Sequence, residues 1–463
     1  MDDLTKKLTA CMHDNLCAVL PIFQEKEKKK MFFDKETETM PRRELEKLQL
    51  ERLKHIAVYC YEKVKMYHDK FDAAGFDPYK IQALSDIKYI PFTTKSDFRD
   101  NYPFGMLAVP KRDILRIHAS SGTTGKPTVV GYTKNDLEMW SDCMARLVTA
   151  AGATADDTIQ IAFGYGLFTG ALGLHYGLEK IGAAVVPTSS GNTEKQVMLM
   201  KDFETTGLVS TPSYALHISE VIRDMGYKIG EDIKLSLGLF GSEGCTVEMR
   251  DQIESGLGVF ATDNYGMSEL IGPGVSGECR ERNGLHFNED HFFPEIIDPI
   301  TEDVLSEGES GELVITTLTK EALPVLRYRT RDITRLNYQP CACGRTHCRM
   351  EKTAGRSDDM LKIRGVNVFP SQIESVIMTI PQVAPYYELV VEREGSADTL
   401  EVRVELADAT LLESYKNLED LRANVKHSLK TVLGIETKVS LVEPKSMARS
   451  AGKAKRIIDN RKK

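Results

Sequence analysis

The sequence predicts an α/β fold: a large N-terminal domain with parallel strands and a β-rich unit, then a small α+β C-terminal domain. Three observations predict it. Between about residues 158 and 265, short apolar runs (Thr158 to Phe163, Ala183 to Pro187, Gly207 to Thr211, Leu235 to Phe240, Gly258 to Thr262) alternate with amphipathic segments such as Glu194 to Phe203 and Tyr214 to Met225. That alternation is the pattern of a parallel sheet covered by helices. From about 286 to 337 the text turns β-rich, as in Gly311-Glu312-Leu313-Val314-Ile315-Thr316. Beyond Gly355-Arg356-Ser357-Asp358-Asp359 it changes again, to strand-like Glu388 to Glu392 and Glu401 to Leu406, a helix over Leu418 to Leu433 and a strand over Thr437 to Val442. The expected divisions are an arm over 1–31, a large domain over 32–356 and a small domain over 357–463.

The arm ends in Lys26-Glu27-Lys28-Lys29-Lys30 and reads as a polar surface helix with no chemistry of its own. Pro41 suits a first helical position, and Leu45, Leu48, Leu53, Ile56, Cys60 and Val64 then share one face, which predicts a core-facing helix.

With 463 residues, 41% hydrophobic and 28% charged, the chain has the composition of an ordinary globular enzyme, and no apolar run approaches the roughly 20 residues that span a bilayer. A formal net charge of −8 gives no electrostatic reason to bind nucleic acid or acidic lipid, which leaves small molecules as the expected partners. The apolar patch Leu16 to Phe23 follows acidic and polar residues and contains Pro21, unlike a secretory signal. A cytoplasmic enzyme with mostly reduced thiols is expected from its nine cysteines.

Ser120-Ser121-Gly122-Thr123-Thr124-Gly125-Lys126-Pro127 has the makings of a phosphate cradle: glycines let N–H groups converge, hydroxyls add donors and lysine adds charge. It is not the P-loop of nucleotide hydrolases. Ser120 stands where that motif needs its first glycine, and Pro127 where it needs a magnesium-binding hydroxyl.

With these features in order, the chain resembles the acyl-adenylate-forming superfamily. The loop above matches its phosphate motif; Gly241-Ser242-Glu243-Gly244 and Tyr265-Gly266-Met267-Ser268-Glu269 are similar to its adenine and magnesium motifs, and Tyr328-Arg329-Thr330-Arg331-Asp332 to its ribose motif. Gly355-Arg356-Ser357-Asp358-Asp359 resembles the inter-domain hinge and Arg449-Ser450-Ala451-Gly452-Lys453 the C-terminal lysine motif. Ile90-Pro91-Phe92-Thr93-Thr94-Lys95, Asn101-Tyr102-Pro103-Phe104-Gly105 and the run from Arg356 to Glu374 resemble the phenylacetate–CoA ligase branch, from about Phe33 to the end. Thr128 stands where many superfamily members carry lysine, and the arm has no recognised counterpart.

The resemblance implies ligation of phenylacetate, or a related arylacetate such as indoleacetate, to coenzyme A at the expense of ATP, through an acyl adenylate, with a mobile C-terminal domain. It implies that Ser121, Gly122, Thr123, Thr124, Gly125 and Lys126 hold phosphates, and that Ser242, Glu243, Gly244, Tyr265, Gly266, Met267 and Ser268 contact the nucleotide. Glu269 would bind Mg²⁺ through the hard oxygen ligand that ion prefers, and Asp332, with Arg356 nearby, would accept from the ribose hydroxyls. Lys453 would serve adenylation, Asp358 the hinge, and Gly365 and Val366 the coenzyme A step. A homodimer is expected from the branch. Two other readings stay open: an aryl-acid adenylating enzyme that loads a carrier protein, and a non-catalytic ATP-binding sensor of the same fold.

Phe163-Gly164-Tyr165-Gly166-Leu167-Phe168 is the expected acyl pocket, since Phe163, Tyr165 and Phe168 give aromatic walls and the glycines between them leave space. Cys341 and Cys343, a Cys-x-Cys pair on an expected turn, point to a structural zinc ion completed by Cys279 and His286, with His347 or Cys348 as alternative ligands and free thiols as the competing reading.

Overall fold

The computed structural model describes residues 32–120, 127–357, 361–363, 366–394, 397–450 and 454–461. The arm over 1–31 therefore lies outside the described residues.

The helix expected from Pro41 runs over Arg42–Lys63 (α1), followed by Lys65–Ala74 (α2). Its buried line is Leu45, Gln49, Leu53, Ile56 and Cys60, with Leu48 only half-buried. Gln49 takes the core position with its amide nitrogen donating to Glu289 O at 2.9 Å, while its amide oxygen is buried without a partner among the described residues.

The alternating segment forms the expected parallel strands: β3 (Thr158–Ile161), β4 (Ala184–Val186), β5 (Gly207–Ser210), β6 (Leu237–Gly241) and β7 (Phe260–Met267). They pair in the order β7-β6-β5-β3-β4, all parallel. Helices α3 (Lys134–Ala151), α4 (Gly170–Lys180), α5 (Thr193–Asp202), α6 (Pro212–Asp224) and α7 (Val247–Leu257) connect or flank them. Thr211 caps α6 by accepting from Tyr214 N–H, and Pro212 fills its first position. The sheet then continues antiparallel through β8 (Gly272–Glu278) and β9 (Leu285–Phe287) to β14 (Arg349–Met350) and β13 (Leu336–Asn337).

The β-rich stretch thus divides. One part extends the main sheet, while β10 (Phe292–Ile297), β11 (Gly311–Thr317), β12 (Tyr328–Thr334) and β15 (Gly355–Arg356) form a separate antiparallel sheet. A two-stranded antiparallel pair, β1 (Arg116–Ser120) with β2 (Thr128–Tyr132), flanks the phosphate-type loop in the sequence.

The C-terminal part holds a hairpin, β16 (Leu361–Ile363) with β17 (Val366–Val368), and a sheet ordered β20-β19-β18-β21, formed by Lys438–Val442 (β20), Ala397–Leu406 (β19), Val383–Glu394 (β18) and Ile457–Asp459 (β21). Helices α8 (Pro370–Met378) and α9 (Tyr415–Leu433) complete it. Its apolar cluster, from Leu361 to Val439, is drawn from this part alone, which is the mark of a core of its own.

Candidate active site

The parallel sheet places its motifs where strands end, which is where open α/β sheets build sites. β6 leads into Ser242 and Glu243, and β7 into Ser268 and Glu269. Ser242 has φ 74°, a left-handed turn that re-aims the chain after the strand. Gly241 and Gly266 are needed for close approach: a Cβ would lie 2.6 Å from Asn264 O at the first and 1.9 Å from Gly272 O at the second. At Tyr265 and Gly266 the β7–β8 register shifts, so the strand bends as it delivers Glu269.

Two adjacent carboxylates are held by tyrosines. Tyr265 donates from its hydroxyl to Asp332 Oδ2 at 2.6 Å, and Arg356 Nη1 lies 3.6 Å from Asp332 Oδ1. Asp332 and Arg356 are register partners on β12 and β15, which explains their proximity. The Tyr328 hydroxyl hydrogen-bonds Glu269, a carboxylate only 4% exposed. Burial, reinforced by the neighbouring carboxylate, pushes both phenols well above their usual range and keeps them donors. Asp332 can accept from vicinal hydroxyls and Glu269 can offer oxygen to a hard cation.

Beneath Glu269 lies a residue the sequence reading missed. Lys320 is fully buried; its ammonium donates to Leu270 O at 2.8 Å and sits 4.1 Å over the Tyr132 ring. Tyr132 itself donates to Ile271 O at 2.9 Å. The turn after Glu269 is thus braced twice from below. Burial lowers Lys320 to about 8, and nothing in Thr319-Lys320-Glu321 signals it, since sequence alone treats a lysine as a surface residue.

Of the expected phosphate ligands, Ser121 to Lys126 lie outside the described residues; their flanks, Ser120 and Thr128, are register partners on β1 and β2. Asp358, Gly365 and Lys453 also lie outside them. Val366 begins β17 and is 37% exposed. The neighbour of Lys453 is informative. Ala454 N–H donates to Glu243 Oε2 at 3.1 Å, while Glu243 Oε1 accepts from Ser213 N–H at 2.7 Å. The chain directly after the C-terminal lysine motif, at Ala454, therefore meets Glu243 of the adenine-type motif, just past β6.

In the aromatic loop, Tyr165 donates or accepts across 3.0 Å with His175 Nδ1, Phe163 packs over Gly170, and Phe168 is half-exposed. His118, another residue the sequence reading passed over, has its Nδ1 3.0 Å from Leu167 O, and Ala119 N–H donates to the same oxygen at 2.8 Å. The strand that leads to the phosphate-type loop thus holds the aromatic loop directly.

Cys279, His286, Cys341 and Cys343 bring their ligand atoms within 4.8 Å of one another. Cys279 Sγ and Cys341 Sγ are 3.8 Å apart, and Cys343 Sγ is 3.4 Å from His286 Nε2. Two sulfurs bound tetrahedrally at about 2.3 Å from one zinc would be about 3.8 Å apart, so the donor set fits. His286 Nδ1 faces His347 O at 3.2 Å, which leaves Nε2 as the free lone pair, and Arg345 N–H points at Cys343 Sγ. Hydrogen bonding within the cluster, first between Cys279 and its two partners, shifts the Cys341 and Cys343 thiols down and Cys279 up, so the four groups share protons closely. The alternatives lie outside this group: His347 Nδ1 faces Phe287 O at 3.0 Å with its Nε2 buried and unpartnered among the described residues, and Cys348 is buried beside Glu289.

Comparison with known proteins identifies the family. The family model for the AMP-binding enzyme C-terminal domain matches residues 365–461. The phenylacetate–coenzyme A ligase of Thermus thermophilus is 49% identical over 446 residues, covering 93% of this chain and 100% of that protein. That of Escherichia coli is 50% identical over 422 residues, with 90% and 95% covered. A 2-hydroxyisobutyryl-CoA ligase in its postadenylation state superposes with a TM-score of 0.88 at 28% identity, covering 94% of each chain. The same ligase in its thioesterification state gives 0.69 at 30% identity, covering 93% of each. With half of all positions shared over nine-tenths of the chain, this chain is a member of the phenylacetate–coenzyme A ligase family.

Proposed function

We propose that the protein joins phenylacetate to coenzyme A at the expense of ATP, releasing AMP and pyrophosphate. The observation that carries this reading is that about half of the residues, over nine-tenths of the chain, are shared with phenylacetate–coenzyme A ligases; the contact of Tyr265 with Asp332 and that of Ala454 with Glu243 support it. A carboxylate is a poor acyl donor because its charge repels nucleophiles and oxide leaves badly. Attack of the carboxylate oxygen on the α-phosphorus of ATP forms the mixed anhydride and expels pyrophosphate. The coenzyme A sulfur then attacks the acyl carbon, loses its proton, and expels AMP.

The protein's work in both steps is positioning and charge stabilisation. Asp332, aimed by Tyr265 and flanked by Arg356, would orient the ribose. Ser121 to Lys126 would hold the phosphates, Glu269 would carry Mg²⁺, which supplies charge neutralisation, and Lys453 would stabilise the approach of two anions during adenylation. Phe163, Tyr165 and Phe168 would wall the aryl group. Gly365 and Val366 would serve the thioester step after rotation about Asp358. Zinc at Cys279, His286, Cys341 and Cys343 would be structural, with four protein ligands and no open position. The reading includes a homodimer in the cytoplasm; among the described residues no helix is long and apolar enough to cross a membrane.

The test is AMP release with coenzyme A across a panel of aryl and straight-chain acids, alongside a carrier-protein acceptor. Turnover of phenylacetate with coenzyme A is expected. Preference for fatty acids, for a carrier thiol, or ATP binding without turnover overturns the reading.

A further inference from the structure

The helix α6 bears a stripe that meets the C-terminal part of the chain along its whole length. Ser213, Glu220 and Asp224 are seven and four residues apart, which sets them on one helix face. Arg456 Nη2 donates to Ser213 Oγ at 3.2 Å, the Tyr386 hydroxyl donates to Glu220 Oε2 at 2.9 Å, and Lys445 Nζ reaches Asp224 Oδ2 at 2.9 Å. Beside α6, Met378 of α8 is buried among the apolar residues packed between α6 and α7, and Gln252 of α7 donates to its carbonyl at 3.1 Å.

The partners of α6 bracket Lys453. Arg449, four residues before it, grips Glu405 with both terminal nitrogens at 2.7 and 2.6 Å, lies 3.4 Å from the centre of the Tyr386 ring, and brings its Nε to 3.7 Å from Glu220 Oε2. Arg456, three residues after it, pairs with Glu374 at 3.2 Å. Glu220 is thus a point where Arg449, of the segment bearing Lys453, and Tyr386 of β18 together meet the large domain. The exposed Lys445–Asp224 pair adds little, because solvent screens it. The Tyr386–Glu220–Arg449 triad is less exposed and combines a charged hydrogen bond with a cation stacked on a ring.

We infer that Glu220 and Tyr386 are positioning residues for adenylation: they dock the C-terminal part on α6 in the arrangement that serves that step, and they must separate before the thioester step. The inference rests on the adenylation role proposed for Lys453. The arrangement itself follows the postadenylation form of the 2-hydroxyisobutyryl-CoA ligase much more closely than its thioesterification form, 0.88 against 0.69. The docking contacts therefore belong to one of two arrangements, and weakening them shifts the balance toward the other.

The test separates the half-reactions in the full-length protein. Glu220→Ala and Tyr386→Phe are assayed for pyrophosphate release from ATP and phenylacetate without coenzyme A, and for thioester formation from supplied phenylacetyl adenylate and coenzyme A. Loss of a hydrogen bond to a charged group predicts adenylation slowed about tenfold in each variant. Thioester formation should be unchanged or faster, and the double variant no slower than Glu220→Ala alone. Equal losses in both half-reactions, a loss confined to the thioester step, or unchanged adenylation overturns the inference. Failure of the unaltered protein to adenylate phenylacetate, or equal losses in both steps for Lys453→Ala, identifies the underlying reading as the one at fault.

Discussion

Tyr265 and Asp332 come from different sheets, β7 and β12, and meet at 2.6 Å between the phenol and the carboxylate. The phenol is buried and stays protonated, so it spends its one proton on Asp332 and leaves the second carboxylate oxygen facing Arg356. Asp332→Asn removes the charge that hydroxyl donors bind most strongly. We expect KM for ATP to rise by about tenfold or more, with a smaller rise for Tyr265→Phe. Steady-state kinetics with ATP varied at saturating phenylacetate and coenzyme A checks this; an unchanged KM for ATP in Asp332→Asn removes Asp332 from the nucleotide site.

In the proposed reaction Lys453 would serve adenylation and Asp358 the rotation that follows it. Lys453→Ala should slow adenylate formation by roughly two orders of magnitude or more, the scale of losing a preorganised charge in an active site, and spare thioester formation from supplied adenylate. Asp358→Pro should do the reverse, because proline fixes φ near −65° and removes an N–H where the chain must rotate. Single-turnover assays of each half-reaction decide it.

Metal analysis of protein purified without added zinc should find about one equivalent per chain, as a single four-ligand site requires. Cys341→Ser should lose the metal and lower the thermal midpoint while leaving KM for ATP unchanged, since none of the four ligands is assigned to the nucleotide. Fully folded, active, metal-free protein would falsify the zinc assignment.

Lys320 makes a pH-dependent contribution whose sign follows from its lowered pKa. Folded, it titrates at about 8 because burial disfavours the charge; unfolded, near the ordinary lysine value of 10.5. Between these values the unfolded chain binds the extra proton, so the native state gains relative stability as pH rises from about 8 to 10.5. The stability of the unaltered protein minus that of Lys320→Met should therefore climb across that window by up to about 3 kcal/mol. Paired denaturant titrations at several pH values measure it, and a flat difference would mean the ammonium is solvated in the folded protein.

Much of this protein was legible in its sequence because the signals are local. The parallel strands appeared where apolar runs alternate with amphipathic ones, each within a few residues of its expected place, and the Cys-x-Cys pair with Cys279 and His286 did assemble. Boundaries moved where pairing, not composition, sets strand length: Glu388 to Glu392 grew into β18 over Val383–Glu394 because β19 and β21 supply partners on both edges. Gln49 displaced Leu48 from the buried line of α1 for an equally non-local reason, a carbonyl supplied by Glu289.

By itself the sequence determined the fold class, the order of the motifs and the residue types available for each chemical task, because periodicity and short-range backbone demands are written in adjacent residues. Only the tertiary structure decided which of those residues meet. The pairing of Tyr265 with Asp332, the buried Lys320 beneath Glu269, and the docking of Arg449 and Tyr386 on Glu220 join positions far apart in the chain. Such contacts depend on how sheets and helices stack and on which buried polar groups find partners there, and neither is encoded in any window of neighbouring residues.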